Sequence, residues 1–188
     1  MKGYFLLELF IETIFNMGYV GFFFYMILVG TFIPLPTQLI LLPAGFLVSQ
    51  GKLDASTTIL VTAMGTTVGA MINYFMANYI SKKLVSPEKI AKIQKFFQKY
   101  GKLSVILAPL TLGMGQYISL PAGIAKMDLR WFIPLIFFSN AIWNSAMLTL
   151  GYIFGDDASS HVLYLGLGGM LLVIAVISRF VYKELKSY

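Results

Sequence analysis

The sequence predicts an all-α integral membrane protein with a single domain over residues 1–188. Of its residues, 58% are hydrophobic and 12% are charged, whereas a soluble domain carries about 25% charged residues. Several apolar stretches approach the roughly 20 residues that a helix needs to cross a bilayer. An eight-residue phrase also occurs twice, as QLILLPAG at 38–45 and QYISLPAG at 116–123, with six identical positions and an offset of 116 − 38 = 78 residues.

The repeated phrase predicts two interrupted segments in corresponding places of the two halves. Each copy begins with a glutamine, Gln38 or Gln116, and ends in Pro-Ala-Gly, which a continuous helix resists. A long apolar stretch follows each copy and contains Tyr74 or Tyr152, again 78 residues apart. Such paired breaks indicate the binding site of a transporter. We expect the breaks at Pro34, Pro36, Pro43, Gly45, Pro109, Gly113, Pro121 and Gly123.

Residues 1–17 predict an amphipathic helix that lies at the membrane interface. Glu8 and Glu12 are four residues apart and share one helical face, with apolar residues around the rest of the turn. Acids within the apolar run and the lack of a small-residue cleavage site disfavour a signal peptide. The segment is therefore expected to rest on the surface of the bilayer.

Residues 18–80 form the first predicted repeat. Two half-length apolar pieces flank the Pro34–Pro36 break, which suggests a re-entrant hairpin. One kinked spanning helix over 19–48 stays open as the alternative, because its composition would be the same. Residues 55–80 then predict a spanning helix, in which Gly65 and Gly69 would let a neighbouring helix approach closely.

Residues 81–102 predict a basic amphipathic helix on the cytoplasmic membrane surface. The segment holds seven lysines and one acid, and its apolar residues recur at helical spacing. Ser86 is a suitable N-cap and Pro87 suits the first turn. Basic residues gather on the cytoplasmic side, where they attract anionic lipids. The predicted anionic-lipid surface comprises Lys89, Lys92, Lys95 and Lys99.

The second predicted repeat covers residues 103–156, and a C-terminal transmembrane helix follows at 161–182. A second hairpin comes first, and residues 131–155 then span the membrane. Basic residues at the end of the chain place the C-terminus in the cytoplasm. One full crossing separates the two hairpins, so they would enter from opposite faces. The predicted fold is two re-entrant helical hairpins plus about three transmembrane helices, arranged as an inverted repeat with N-terminal and central amphipathic helices.

A set of short motifs lies along the chain in a fixed order. They are Pro34-x-Pro36-Thr37 with LILLPAGFL, Gly65-x-x-x-Gly69 with Tyr74, Tyr100-Gly101, ISLPAGIAKM at 118–127 followed by Phe132, and Asn140 through Gly151-Tyr152-x-x-Gly155. With these motifs the chain resembles, over roughly residues 18–156, the DedA family, which belongs to the VTT (SNARE-associated Golgi protein) group. The resemblance implies two facing re-entrant loops, an inverted repeat and movement of lipid across the membrane. Some members are implicated in returning undecaprenyl phosphate, and others in moving phospholipids.

The chain also departs from the family pattern at its charged positions. The acids that flank the first Pro-x-Pro in the family are replaced by Val29 or Gly30 and by Gln38, and the acid after Gly69 is Ala70. The two arginines that the family carries near the second break are replaced here by Pro109 and Gly115. An arginine fork is the natural partner of a phosphate monoester. Its replacement weakens the expectation of undecaprenyl phosphate as the substrate.

The polar residues that remain inside the predicted spans are neutral. We expect Gln38 and Gln116 to line a polar cavity at the midplane, because an amide donates and accepts hydrogen bonds without bringing charge. The alternative is that both amides only tie the hairpin tips to the bundle. The candidate substrate-binding residues are Thr37, Gln38, Asn73, Gln116, Ser119, Asn140 and Asn144.

The predicted function is a DedA-type lipid transporter, a flippase or scramblase, that acts as a multi-pass protein of the cytoplasmic (inner) membrane. Its partners would be membrane lipids and not nucleic acid, and a homo-oligomer is left open. The alternatives are a small-solute or ion transporter on the same scaffold, and a non-transporting membrane organiser. We expect no cofactor or metal, and no enzyme, because the chain has neither a Ser-His-Asp arrangement nor a phosphate loop.

Overall fold

The computed structural model describes residues 9, 11–31, 33, 35–84, 86–108 and 115–154. Throughout these residues the regular structure is helical, which confirms the all-α prediction. Residues 11–16 are helical and precede the first complete element. The elements are α1 (Tyr19–Gly30), α2 (Gln38–Ser49), α3 (Ala55–Leu84), α4 (Pro87–Leu107), a 3-10 helix (Gly115–Ile118), α5 (Ser119–Ile124) and α6 (Leu129–Phe154).

Helices α3 and α6 form the centre of the molecule and run antiparallel. The ring of Tyr74, late in α3, lies 5.1 Å from that of Phe132, early in α6. Thr62, early in α3, instead contacts Asn144, late in α6, with 3.1 Å between Oγ1 and Nδ2. Within the described residues two helical stretches are long and apolar enough to cross a membrane, Ala55–Ala77 and Leu129–Phe154.

The outer face of α3 is apolar and its inner face is polar. Large apolar side chains at four- or three-residue steps are exposed, whereas threonines and an asparagine on the opposite side are buried. A water-soluble helix has the reverse arrangement, so this one suits a lipid environment. The exposed residues are Leu60, Met64, Val68, Ile72, Phe75 and Tyr79.

Glycines bring α1 into backbone contact with α3. A Cβ on Gly65 would lie 2.6 Å from the carbonyl oxygen of Phe23. One on Gly69 would overlap the carbonyl oxygen of Ile27 and lie 2.7 Å from Cα of Gly30. The predicted role of Gly65 and Gly69 as a close-approach pair is confirmed.

Helix α2 packs along α6. The structure corrects the prediction that Pro43 and Gly45 break the helix. Both residues lie inside α2, which continues to Ser49. Pro43 removes the hydrogen bond that position 43 would have donated and crowds the carbonyl four residues earlier, but the helix continues past it. Gly45 is needed for contact instead, since a Cβ there would lie 2.8 Å from the backbone nitrogen of Tyr152 and overlap the carbonyl oxygen of Leu148.

Helix α5 packs on α3 in a corresponding way. Pro121 and Gly123 also lie within a helix and not at a break. Pro121 is the third residue of α5, near the turn where a proline has no helical donor to lose. A Cβ on Gly123 would lie 3.0 Å from Cα of Tyr74 and overlap that residue's carbonyl oxygen. Gly45 and Gly123 hold the same position in the two copies of the repeated phrase (45 + 78 = 123), and Tyr74 and Tyr152 have the same spacing (74 + 78 = 152). Each of these glycines therefore contacts the backbone at or beside the tyrosine of the other half.

The non-helical residues between α1 and α2 rule out one continuous helix over 19–48. Residues 31, 33 and 35–37 separate the two 12-residue helices. Helix α4, by contrast, runs from Pro87 to Leu107 without a break and so continues past the predicted boundary at residue 102. Phe97, Gly101 and Val105 are buried at four-residue steps and hold it to the bundle as one helix.

Several predicted features lie outside the described residues. Among the predicted breaks these are Pro34, Pro109 and Gly113. The first eight residues of the N-terminal amphipathic segment and the C-terminal helix at 161–182 are outside as well.

Candidate functional site

Buried polar side chains line the inner face of α3 and the helices against it. Most of the threonines satisfy themselves within α3, as where Thr62 Oγ1 donates to the Thr58 carbonyl oxygen at 2.7 Å. Thr66 and Thr67 donate in the same way to α3 carbonyls. The two buried amides depend on other helices. The buried polar residues of α3, α5 and α6 are Thr58, Thr62, Thr66, Thr67, Asn73, Ser81, Ser119, Ser139 and Asn144.

The Asn73 amide contacts the end of α1 and the start of α5. Its Nδ2 donates to the carbonyl oxygen of Gly30 and to Oγ of Ser119, each at 3.2 Å. Gly30 is the last residue of α1, at the start of the first break. Ser119 is the first residue of α5, which follows the predicted second break. The structure thus brings two of the predicted site residues, Asn73 and Ser119, into direct contact.

The Asn144 amide lies where α3 and α6 cross. Its Nδ2 donates to Thr62 Oγ1 at 3.1 Å, and both side chains are fully buried. Thr62 was missed by the sequence analysis, although it lies 140 − 62 = 78 residues before the predicted site residue Asn140. Asn140 itself donates to the Ile136 carbonyl oxygen of its own helix at 2.8 Å and is partly buried.

The first break is held against α6 and α1 by side chains. Trp143 Nε1 donates to Thr37 Oγ1 at 3.5 Å, and Thr37 Oγ1 donates to Gln38 Oε1 at 3.4 Å. The Tyr25 hydroxyl donates to the Pro36 carbonyl oxygen at 2.9 Å. The tryptophan was not among the predicted site residues. Gln116 belongs to the 3-10 helix, and its side chain lies outside the described part of the molecule.

The helical segments around these groups contain no charged side chain. Residues 19–51, 55–81 and 131–154 contain no Asp, Glu, Lys or Arg. The nearest acid to the start of α3 is Asp54, whose Oδ1 accepts hydrogen bonds at 2.7 Å from the backbone N–H and the hydroxyl of Thr57. These bonds stabilise the carboxylate and hold the pKa of Asp54 below its usual value. Asp54 is exposed and therefore separate from the buried amides.

Helix α4 presents its lysines to the outside. Lys92 Nζ lies 3.3 Å from Glu88 Oε1, one turn earlier. Lys99 Nζ is 5.0 Å from the centre of the Tyr100 ring, and Lys102 Nζ is 3.4 Å from that of the Trp131 ring. The predicted anionic-lipid residues, Lys89, Lys92, Lys95 and Lys99, are all exposed.

Comparison with known proteins locates the chain in a family. The sequence profile of the VTT domain matches residues 35–153. Two proteins of Lactococcus lactis, both named alkaline phosphatase-like protein, are similar to this chain. The first is 29% identical over 96% of each chain. The second is 31% identical over 80% of this chain and 77% of its own. Undecaprenyl phosphate transporter A of Bacillus subtilis is 28% identical over 90% of each chain.

No solved structure matches the chain. The matched range begins within the first break and ends within α6, so it includes Asn73, Ser119 and Asn144 but not Gly30. The chain is a membrane protein of the VTT-domain (DedA) family.

Proposed function

We propose that this protein is a DedA-type lipid transporter of the cytoplasmic membrane, which moves a phospholipid or undecaprenyl phosphate head group from one leaflet to the other. The observation that carries the proposal is the Asn73 amide, which bonds the end of α1 and the start of α5 at once. In a bilayer, backbone freed from helices needs protein or water partners. A polar head group would enter the membrane at the lowest free-energy cost beside a polar side chain that contacts both breaks.

The helix ends support a re-entrant course for the first segment. The Asp54 N–H donates to the Tyr19 hydroxyl at 2.8 Å, so the start of α1 lies beside the start of α3. Asp54 follows the end of α2 by only five residues, so α1 would enter the membrane and α2 would return to the same side. Lys102 above the Trp131 ring relates α4 to the start of α6 in the same manner.

The reciprocal glycine contacts support an inverted repeat. Gly45 abuts the backbone at Tyr152 and Gly123 abuts that at Tyr74, and the central helices run antiparallel. We assign residues 18–80 and 103–156 to the two halves of one membrane domain. The basic α4 lies on the cytoplasmic side, and the C-terminus returns there.

In the proposed mechanism the two interrupted segments move apart at their shared polar contacts while lipid tails stay in the bilayer. The groups that would then face the head group are uncharged, and helix ends add partial charge. The residues assigned to this passage are Thr37, Gln38, Asn73, Gln116, Ser119, Asn140 and Asn144.

The protein would not need a proton gradient. Proton relays in membranes use embedded acids or histidines, and residues 19–51, 55–81 and 131–154 contain neither. We therefore expect lipid flux in proteoliposomes to persist after an uncoupler is added. A flux that collapses with the uncoupler contradicts this part of the mechanism.

Exchange of Asn73 tests the proposal most directly. Asn73→Leu keeps the branched shape of the side chain but removes the amide that bonds Gly30 and Ser119 and that would pair with a head group once the segments part. We expect the rate of fluorescent-lipid movement in liposomes to fall at least fivefold, the factor for one hydrogen bond of about 1 kcal/mol. Thr67→Val is the matched control, since the Thr67 hydroxyl bonds only within α3. A folded Asn73→Leu protein with the parental rate refutes the role of Asn73.

The exposed lysines of α4 favour one alternative, a membrane organiser that acts through its surface. Joint replacement of Lys89, Lys92, Lys95 and Lys99 by glutamine would abolish the function of an organiser. For a transporter it would mainly weaken binding to anionic vesicles. Lipid movement that survives this replacement favours transport, whereas a wild-type protein that moves no lipid favours the organiser.

A further inference from the structure

Among the residues that the structure describes, two buried hydrogen-bond acceptors have no partner. The side chains of Asn73 and Asn144 are fully buried, and the Oδ1 atom of each lacks a donor. Their Nδ2 atoms both donate to neighbouring groups. Buried polar atoms in native proteins almost always have partners, because an unpaired one is costly. What the described interior lacks is therefore a donor and not an acceptor.

The two oxygens lie along the same face of α3. Asn144 bonds to Thr62, and Asn73 follows Thr62 by 73 − 62 = 11 residues. Eleven residues make just over three turns, which brings both positions to one side of the helix, about 16 Å apart along its axis. That distance is roughly half of the hydrocarbon core, which is about 30 Å thick. The acceptors could thus meet a passing head group at two successive depths.

The charge of a lipid head group decides whether it can pair with the Oδ1 atoms of Asn73 and Asn144. A phosphate monoester offers acceptors of its own and would face the amide oxygens without a donor between them. An ammonium group donates, but it needs a counter-charge when it leaves water. Residues 19–51, 55–81 and 131–154 hold no acid to supply one. A neutral hydroxyl donates without that requirement.

We infer that the Oδ1 atoms of Asn73 and Asn144 accept hydrogen bonds from the hydroxyl groups of a neutral polyol in the lipid head group, such as glycerol or a sugar, when the interrupted segments part. The inference rests on the proposed transport function and names the substrate class of that site. Ordered water carries the same O–H donor, so the experiment must separate water from a head group.

The probe lipids are chosen so that one differs from another only in the donor. Phosphatidylglycerol and phosphatidylmethanol carry the same phosphodiester charge, and only the first has hydroxyls. Phosphatidic acid presents a phosphate monoester, and phosphatidylethanolamine an ammonium. Each lipid, labelled on an acyl chain, is reconstituted with the protein, and its movement is followed by quenching of the outer leaflet. We expect phosphatidylglycerol to move at least fivefold faster than phosphatidylmethanol, the factor for one hydrogen bond of about 1 kcal/mol.

Variants locate the preference. Asn144→Ala should reduce the ratio of the two rates, and Asn73→Leu combined with Asn144→Ala should bring it to near one, whereas Thr67→Val, whose hydroxyl bonds within its own helix, should leave it unchanged. A ratio that survives in the double variant overturns the inference, as does a preference of the wild type for phosphatidic acid or phosphatidylethanolamine.

The failures of the two proposals are distinguishable. Equal rates for all four lipids in the wild type leave transport standing and show that the amide oxygens hold only water, which overturns the inference. Movement of none of them overturns both. A measurement without variants adds a check, because short-chain phosphatidylglycerol should raise the melting temperature of the wild type more than short-chain phosphatidylmethanol. Equal shifts again overturn the inference.

Discussion

Gly45→Ala should destabilise the protein although alanine is the better helix former. Within a helix the exchange alone is favourable by about 1 kcal/mol. At this position, however, the new methyl group would lie 2.8 Å from the backbone nitrogen of Tyr152 and overlap the Leu148 carbonyl oxygen. Main-chain atoms cannot rotate away, so α2 must retreat from α6. We take the upper end of the usual cost of overpacking, about 3 kcal/mol, which leaves a net loss of about 2 kcal/mol.

The loss can be measured as a thermal shift in detergent. For a chain of this length a change of 1 kcal/mol moves the melting temperature by about 2–4 °C, so we expect a fall of about 4–8 °C. The two tryptophans supply the fluorescence signal. Gly101→Ala is the matched control, because the atoms nearest to its methyl group would belong to the side chain of Phe97, which can turn aside, and not to the backbone of another helix. If both variants melt at the same temperature as the wild type, the proposed close contact between α2 and α6 is wrong.

Three further predictions concern topology, pH and lipid binding. The chain has no cysteine, so single cysteines introduced at Asn16 and Lys52 can be labelled selectively with a maleimide that does not cross the membrane. We expect both positions to be labelled from the same side of the membrane. Labelling from opposite sides would mean that residues 19–48 span the membrane. Because hydrogen bonds lower the pKa of Asp54, its carboxylate stabilises the fold at neutral pH and loses this effect as the pH falls below about 4. The melting temperature of Asp54→Asn should therefore fall less steeply at acid pH than that of the wild type. The same pH dependence in both proteins would exclude this contribution. Retention on anionic vesicles should weaken with rising salt, and should fall in the variant with glutamine at Lys89, Lys92, Lys95 and Lys99.

The sequence by itself determined the helical class, the two central spans and the family. These follow from local patterns, since the length and apolar content of residues 55–77 and 129–154 do not depend on what lies beside them. The glycine pair at Gly65 and Gly69 was also predictable, because its four-residue spacing defines one helical face. Asn73, Ser119 and Asn144 could be selected as candidates because an amide or hydroxyl in an apolar span needs a partner.

Only the tertiary structure decided which partners those residues have. Pro-Ala-Gly predicted a break at residues 43–45, but Gly45 serves the approach of α6, which lies a hundred residues further along the chain. In the same way the contacts of Asn73 with Gly30 and Ser119 join residues 43 and 46 positions away. Local spacing shows what a residue could do within its own helix. Its actual role depends on which backbone packs against it, and that is a property of the assembled bundle.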